Sequence, residues 1–352
     1  MKQNTLDLYT DYLNVTFGYA TATGLSNLLE GELSHDQVTR ALSSELCSSK
    51  ELWFQVKPTA REIQSEEASM IIDDTIVEKV YMDENELICW HYDHSKGRNV
   101  KGINLVNCLY HANDTSIPVA FELVRKPVVY SDVKTRKEKR LSEVTKNELM
   151  RNMLNVAVQN ALPFKWVLFD IWFSSTENMT HIKSNLNKDF IGALKTNRLV
   201  ALSEDDKAKG CFTRIDQLDW SEQDVKQGWL KGMSFPVQLV RQVFTNKDGS
   251  TGILYLVCSD LEADWDTITT TYQKRWKVEV FHKSLKSNAA TSKSPARRIV
   301  SQANHIFASI VAVFKLEKLK INTHLNHFSL KARLYVNAIH AAYDELKILQ
   351  AA

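Results

Sequence analysis

Several things are missing from this chain, and each omission narrows its possibilities. There is no run of eighteen apolar residues, and the N-terminus (Met-Lys-Gln-Asn-Thr-Leu-Asp) lacks the apolar stretch of an export signal. No membrane partner is expected, and the protein is read as soluble and cytoplasmic. Five cysteines, Cys47, Cys89, Cys108, Cys211 and Cys258, form no Cys-x-x-Cys pair and no zinc-ligand spacing. An odd number of widely spaced thiols fits a reducing compartment, where they serve mostly as buried side chains. Internal repeats and low-complexity tracts are also absent. Strong net charge is missing too: +2 is too small to announce a polyanionic partner.

What is present is an uneven distribution of charge. Residues 272–298 hold eight Lys or Arg against the single acid Glu279, and residues 125–140 hold seven against Asp132 and Glu138. Residues 204–224 reverse the balance with seven acids and three bases, and the first seventy residues carry ten acids and five bases. Basic surface confined to particular segments suits local gripping of a polyanion. With 352 residues and 44% apolar content, the chain can fill two or three cores.

Helical spacing predicts helices over Leu6–Leu29 and His35–Phe54, the second preceded by a capping Ser34. From Ser69 the pattern turns to short strands at Met70–Ile72, Leu87–Trp90, Ile103–Tyr110 and Ile117–Val124. A helix over Ser142–Ala161 leads to the continuous apolar run Trp166–Phe169, a buried strand ending in Asp170. A helix near Thr176–Ser184 and a strand at Phe190–Leu194 follow. Residues 196–262 read as further strands, with Asn246-Lys247-Asp248-Gly249 as a hairpin tip, and the tail from Ala296 is helical. Asp73 and Asp170 each directly follow a buried-looking strand, where a carboxylate emerges at a sheet edge.

The segment Tyr272-Gln-Lys-Arg-Trp-Lys-Val-Glu-Val-Phe-His-Lys-Ser-Leu-Lys286 adds a third acid. At 100° per residue, Tyr272, Arg275, Glu279 and Lys286 lie within about 60° of one another on a helix spanning about 21 Å. Val278, Phe281 and Leu285 make a separate apolar stripe that would anchor it. One face thus offers a carboxylate flanked by cations, including Lys283, as nucleic-acid phosphates require.

Asp73, Asp170 and Glu279 in this order, with the gapless spacing of Tyr272, Arg275, Glu279 and Lys286, resemble the DDE transposases of bacterial insertion sequences. The narrower likeness is to the group with a tyrosine-arginine-glutamate-lysine signature. Supporting matches are Ile-Asp-Asp-Thr around Asp73 and Leu-Phe-Asp-Ile-Trp-Phe-Ser-Ser around Asp170, and the likeness spans roughly residues 35–315. It implies an α/β fold: a ribonuclease H-like catalytic core at 67–195 and 263–300, with a β-strand insertion at 196–262. A helical N-terminal module at 1–66, for DNA-end binding, and a helical C-terminal segment at 301–352 complete the expected layout. It further implies that Asp73, Asp170 and Glu279 are catalytic and hold two Mg2+ ions, with Mn2+ as substitute, while Tyr272, Arg275, Lys283 and Lys286 bind DNA. Two hard cations on carboxylates suit in-line phosphodiester chemistry. The implied partners are double-stranded DNA, the element's terminal inverted repeats, target DNA and a second copy of the chain, in a nucleoid-associated setting. The alternative is a catalytically silent DNA-binding descendant of such a transposase.

Other residues have competing readings. His91, Asp93 and His94 have metal-like chemistry but no distant partner cluster, which favours a turn or a DNA-facing role. Trp220 and Trp229 could wedge beside an extruded base, though packing is the simpler role. Asp74 would replace Asp73 only if its strand bulged. The acidic balance of the N-terminal module weighs against end recognition there, although His35, Gln37 and Arg40 could read a groove. A glycosidase built on paired carboxylates would leave the cationic face around Glu279 without purpose.

Overall fold

A computed structural model of the protein describes residues 1–246 and 248–351. Four helices open the chain: α1 (Gln3–Val15), α2 (Ala22–Leu28), α3 (His35–Leu42) and α4 (Ser49–Glu62). The two long helices expected at Leu6–Leu29 and His35–Phe54 are therefore each broken in two. Short polar side chains make the breaks by turning back on the backbone. Thr21 accepts a hydrogen bond from the Gly24 N–H, and Ser48 and Glu51 form a reciprocal capping box.

Strands β1 (Ser69–Glu78), β2 (Cys89–Asp93), β3 (Arg98–Ala112) and β4 (Thr115–Leu123) follow. The basic segment at 125–140 folds into an exposed hairpin, β5 (Val128–Ser131) and β6 (Glu138–Leu141). Next come α5 (Lys146–Gln159), β7 (Trp166–Phe169), α6 (Thr176–Thr180) and β8 (Asp189–Leu194). Residues beyond β8 form β9 (Leu199–Ala201), α7 (Glu204–Lys209), β10 (Thr213–Arg214), β11 (Val225–Leu230), β12 (Val237–Thr245) and β13 (Thr251–Cys258). The expected tip at 246–249 does join β12 to β13, which pair through Thr245 and Thr251; Lys247 itself lies outside the described residues. Helices α8 (Trp265–Gln273), α9 (Trp276–Asn288), α10 (Ile299–Thr323) and α11 (His327–Ala351) end the chain.

One large sheet runs β10-β9-β11-β12-β13-β8-β7-β1-β3-β2, with β4 also paired to β3. Its centre is parallel, β1 beside β7 and β7 beside β8, because Met70–Ile72 and Trp166–Phe169 are apolar on both faces and need cover above and below. Helices supply that cover: α4 and α10 pack on β4, α5 on β3 and β4, α9 on β1, and α8 on β8, β12 and β13. The result is a mixed α/β architecture consistent with a ribonuclease H-like core. The strands after β8 extend its sheet rather than building a separate one.

Helix α10 is long and apolar enough to cross a membrane, yet 83% of its most apolar window is buried inside the protein, as in a core helix. It packs against α1, so the two ends of the chain share one continuous apolar cluster from Leu6 to Phe314. Between them sits His305, wholly buried, with the Tyr9 hydroxyl 2.8 Å from Nδ1 and the Ala290 carbonyl 3.0 Å from Nε2. A neutral ring satisfies both neighbours, and burial, with Lys79 adding, pushes its pKa down to about 3. The unfolded chain takes up a proton near the ordinary histidine value of 6.5 while the folded chain does not. Stability contributed by His305 is therefore full above about 6.5 and is lost as pH falls below it. Denaturant titrations should show a loss approaching about 1.4 kcal/mol per pH unit from this residue between about pH 6 and 4.5, removed in His305→Gln.

Candidate active site

The parallel register of β1 and β7 explains why Asp73 and Asp170 meet. The last pair is Ile72 with Phe169, so the next residue on each strand is an aspartate, and the two emerge side by side. The expectation that Asp73 follows its strand is corrected here: β1 continues to Glu78, held by its antiparallel partner β3, and Asp73 lies inside it opposite Asn107. β7 does stop at Phe169, because Asp170 caps a short turn by accepting the Trp172 N–H at 3.0 Å. That turn is tied to α5 through wholly buried Asn178, which donates to the Phe173 carbonyl and the Asn147 side chain and accepts from Arg151.

Glu279 arrives on α9, whose buried Val278, Phe281 and Leu285 anchor it as the apolar stripe requires. The signature segment is not one continuous helix. α8 ends at Gln273, α9 begins at Trp276, and between them Lys274 and Arg275 bond back only three residues. Tyr272, the last residue but one of α8, lies in the interior, 7% exposed, instead of on a shared open face. Burial raises its phenol pKa, and the ring lies 5.9 Å from the Arg275 guanidinium. Arg275 itself reaches Asp73 at 3.1 Å and Glu279 at 3.5 Å. Burial opposes its charge, yet Tyr272 and the surrounding carboxylates hold its pKa above the ordinary value.

Asp73, Asp170 and Glu279 line one open cavity of about 690 Å³, together with Arg275, Lys283 and Lys286. Burial, reinforced by the neighbouring Asp170 charge and only partly offset by Arg275, pushes Asp73 up to about 8. Asp170 is raised as well, chiefly by burial. Two desolvated carboxylates set together in this way hold their charges poorly without a cation. Burial also lowers the Lys286 pKa. Among the described residues Arg275 is the one cation contacting two of the acids, and its Nε is buried without a hydrogen-bond partner.

Donor atoms from Asp73, Glu279 and His282 lie within 4.8 Å of one another, a grouping that fits a metal ion; Asp170 stands outside that close group but on the same cavity. His282 is the residue that reading the sequence missed. It sits one turn beyond Glu279, so the i, i+3 spacing was a usable signal. Burial, with Lys286 and Arg275 adding, lowers its pKa to about 3, and its Nε2 is 2.9 Å from the Asn107 side chain. Asn107 faces Asp73 across the β1–β3 pair, so this contact fastens the Glu279 helix to the sheet beside the first acid.

The remaining candidates separate clearly. Asp74 accepts hydrogen bonds from Lys146 and Asn104, both at 2.8 Å, and β1 shows no bulge at that point. His91 is buried against the Cys89 thiol and depressed to about 3 by burial. Asp93 fastens its own turn through Ser95, whereas His94 stacks on Trp172 with ring centroids 3.7 Å apart at the cavity wall. Trp220 is a packing residue, its indole N–H donating to the Ile215 carbonyl. Trp229 is partly buried under Lys207. Aromatics on the cavity with the acids include Trp172, two residues beyond Asp170, with Tyr92 and Phe173.

A family model described as DDE superfamily endonuclease matches residues 2–209, and a second, described as transposase DDE domain, matches residues 135–314. Each covers more than half of the chain, and between them they contain all three acids. The chain therefore belongs to the DDE endonuclease and transposase superfamily. No curated protein matches it.

Proposed function

We propose that this protein is the transposase of an insertion sequence, cutting DNA at the element's ends and joining them to a target, and that it belongs to the tyrosine-arginine-glutamate-lysine group. The observation that carries this reading is the meeting of Asp73, Asp170 and Glu279 on one cavity, with the pKa of buried Asp73 and half-buried Asp170 both raised. Their donors are oxygens, which suit a hard divalent ion such as Mg2+, with Mn2+ as substitute. When bound, a pair of such ions supplies charge stabilisation at the attacking and leaving oxygens of an in-line displacement.

The chain's own residues do the rest. Asp73 and Asp170, fixed by β1 and by the capped turn after β7, would supply carboxylate oxygens to such ions, and Glu279 would close the site from α9. Arg275 is displaced from the acids toward a phosphate oxygen, its unpartnered Nε supplying a further donor to a forked contact. Lys283 and Lys286 add charge along the same wall, and Tyr272 packs beside Arg275 to aim it. A second copy of the chain is the natural partner. Helix α11 exposes Val336, Ile339, Tyr343 and Leu346 at three- and four-residue steps, a stripe suited to helix pairing. The working location is the cytosol, on the nucleoid.

The test uses a supercoiled plasmid carrying this gene with its flanking nucleotides. Magnesium-dependent nicking at short inverted repeats bordering the gene is the expected result. Binding to those repeats without nicking, in magnesium and in manganese, would instead support the silent DNA-binding descendant.

A further inference from the structure

Trp172 belongs to two cavities. One is the acidic cleft; the other, of about 440 Å³, is lined by Lys195, Arg198 and Lys231 with no acidic side chain. The contrast with the cleft is sharp, and local structure fixes it. Lys195 leaves the end of β8, and a turn in which the Arg198 N–H bonds the Lys195 carbonyl brings the two cations together. Lys231 is attached to the same place by its own N–H, which bonds the Leu199 carbonyl at 2.9 Å. The next residue, Gly232, has φ +88° and passes close to Thr176, so the turn after β11 can close over this corner.

Arg198 is the unusual member. It is half-buried, its Nη2 donates to the Thr176 hydroxyl at 2.7 Å, and its Nε is buried with no partner. Several partly buried cations face carboxylates: Arg275 meets Asp73, Arg151 meets Glu177, and Lys183 meets Asp189, while buried Lys79 and Lys331 donate to backbone carbonyls. Among the described residues, Arg198, Lys195 and Lys231 face no carboxylate in their cavity. Lys195 rests over the Trp172 ring, 4.9 Å from its centre. A desolvated guanidinium with a vacant donor and two flanking ammonium groups is costly unless an anion completes it.

We propose that this second cavity is a phosphate subsite for the DNA strand as it runs from the acidic cleft past Trp172, with Arg198 as its anchor and Lys195 and Lys231 as outer cations. The assignment rests on the functional reading above and extends it. It makes Trp172 a divider between the cleft where the strand is cut and a grip on a neighbouring phosphodiester. Arg198 supplies directed donors, and the lysines supply charge that follows the backbone whatever the base sequence.

The probe is a fluorescein-labelled DNA duplex of arbitrary sequence in EDTA, with affinity measured by anisotropy over a range of salt concentrations. Arg198→Gln and Lys231→Gln should each flatten the plot of log affinity against log salt by about 0.9, one phosphate contact's worth, while Lys347→Gln on α11 should not. Lys231 is solvent-exposed, so its variant decides the matter if Arg198→Gln fails to fold. Wild-type slopes in a folded Lys231→Gln variant would overturn the subsite. If the wild-type chain still nicks DNA in that case, the functional reading survives without it. A wild-type chain that binds no DNA overturns both.

Discussion

Glu279→Gln is expected to abolish magnesium-dependent nicking while leaving the protein folded and able to bind DNA. Glutamine keeps the shape and one oxygen but loses the negative charge that a divalent ion requires. Because metal stabilisation of the transition state amounts to several kcal/mol, the loss should be on the order of a thousandfold or more. The glutamate is 45% exposed on the first turn of α9, and the helix is anchored independently by Val278, Phe281 and Leu285, so little stability should be lost. A second readout separates metal loss from a general defect. Magnesium should raise the Tm of the wild-type protein and raise it much less in Glu279→Gln. Nicking within tenfold of wild type would remove Glu279 from the proposed machinery.

Gly192→Val should have the largest effect on stability. Gly192 lies on β8 opposite Phe169 in the parallel pair, and a Cβ placed there would fall into the Phe169 ring. Phe169 is wholly buried and cannot swing aside. Overpacking at such a point should cost about 3 kcal/mol, seen as a lower denaturant midpoint with little change in slope. The same push acts on the residue before Asp170, so nicking by the molecules that remain folded should fall too. Gly252→Val is the comparison. Its Cβ would meet the Phe244 ring, but Phe244 is 45% exposed and can move into solvent, so the cost should be under about 1 kcal/mol. Equal costs at the two glycines would contradict this account of the packing around Asp170.

How legible the site was depended on how local each signal was. Trp166–Phe169 was readable as a buried strand because four consecutive apolar residues need cover on both faces, and it forms β7. Asp170 could be marked at its end for the same reason. Asp73 was singled out but misplaced relative to its strand, since the polar half of β1 is held by β3, a partner distant in sequence. The Tyr272 face was misjudged because helical periodicity assumes one unbroken helix, and the break at Lys274 and Arg275 has no proline or glycine to announce it. Arg198 was passed over for the opposite reason: it belongs to no spaced motif, and like Trp172, noted only as context around Asp170, it gains meaning from the cavity it faces.

Taken alone, the amino-acid order determined which side chains were candidates for chemistry. It supplied three acids in a recognisable order, a run of cations around the last, and enough apolar residues at the right periods to build strands and helices. Those are properties of near neighbours, and near neighbours are fixed by the chain itself. The folded structure decided what those side chains meet. The pairing of Ile72 with Phe169 set two aspartates side by side, the β3 strand brought Asn107 to His282, and the turn after β8 left Arg198 without an acid. Burial then raised Asp73 and Asp170 together. Proximity across the sheet and exclusion of water arise only when distant segments pack, which is why charge states and empty donors could not be read before the fold was known.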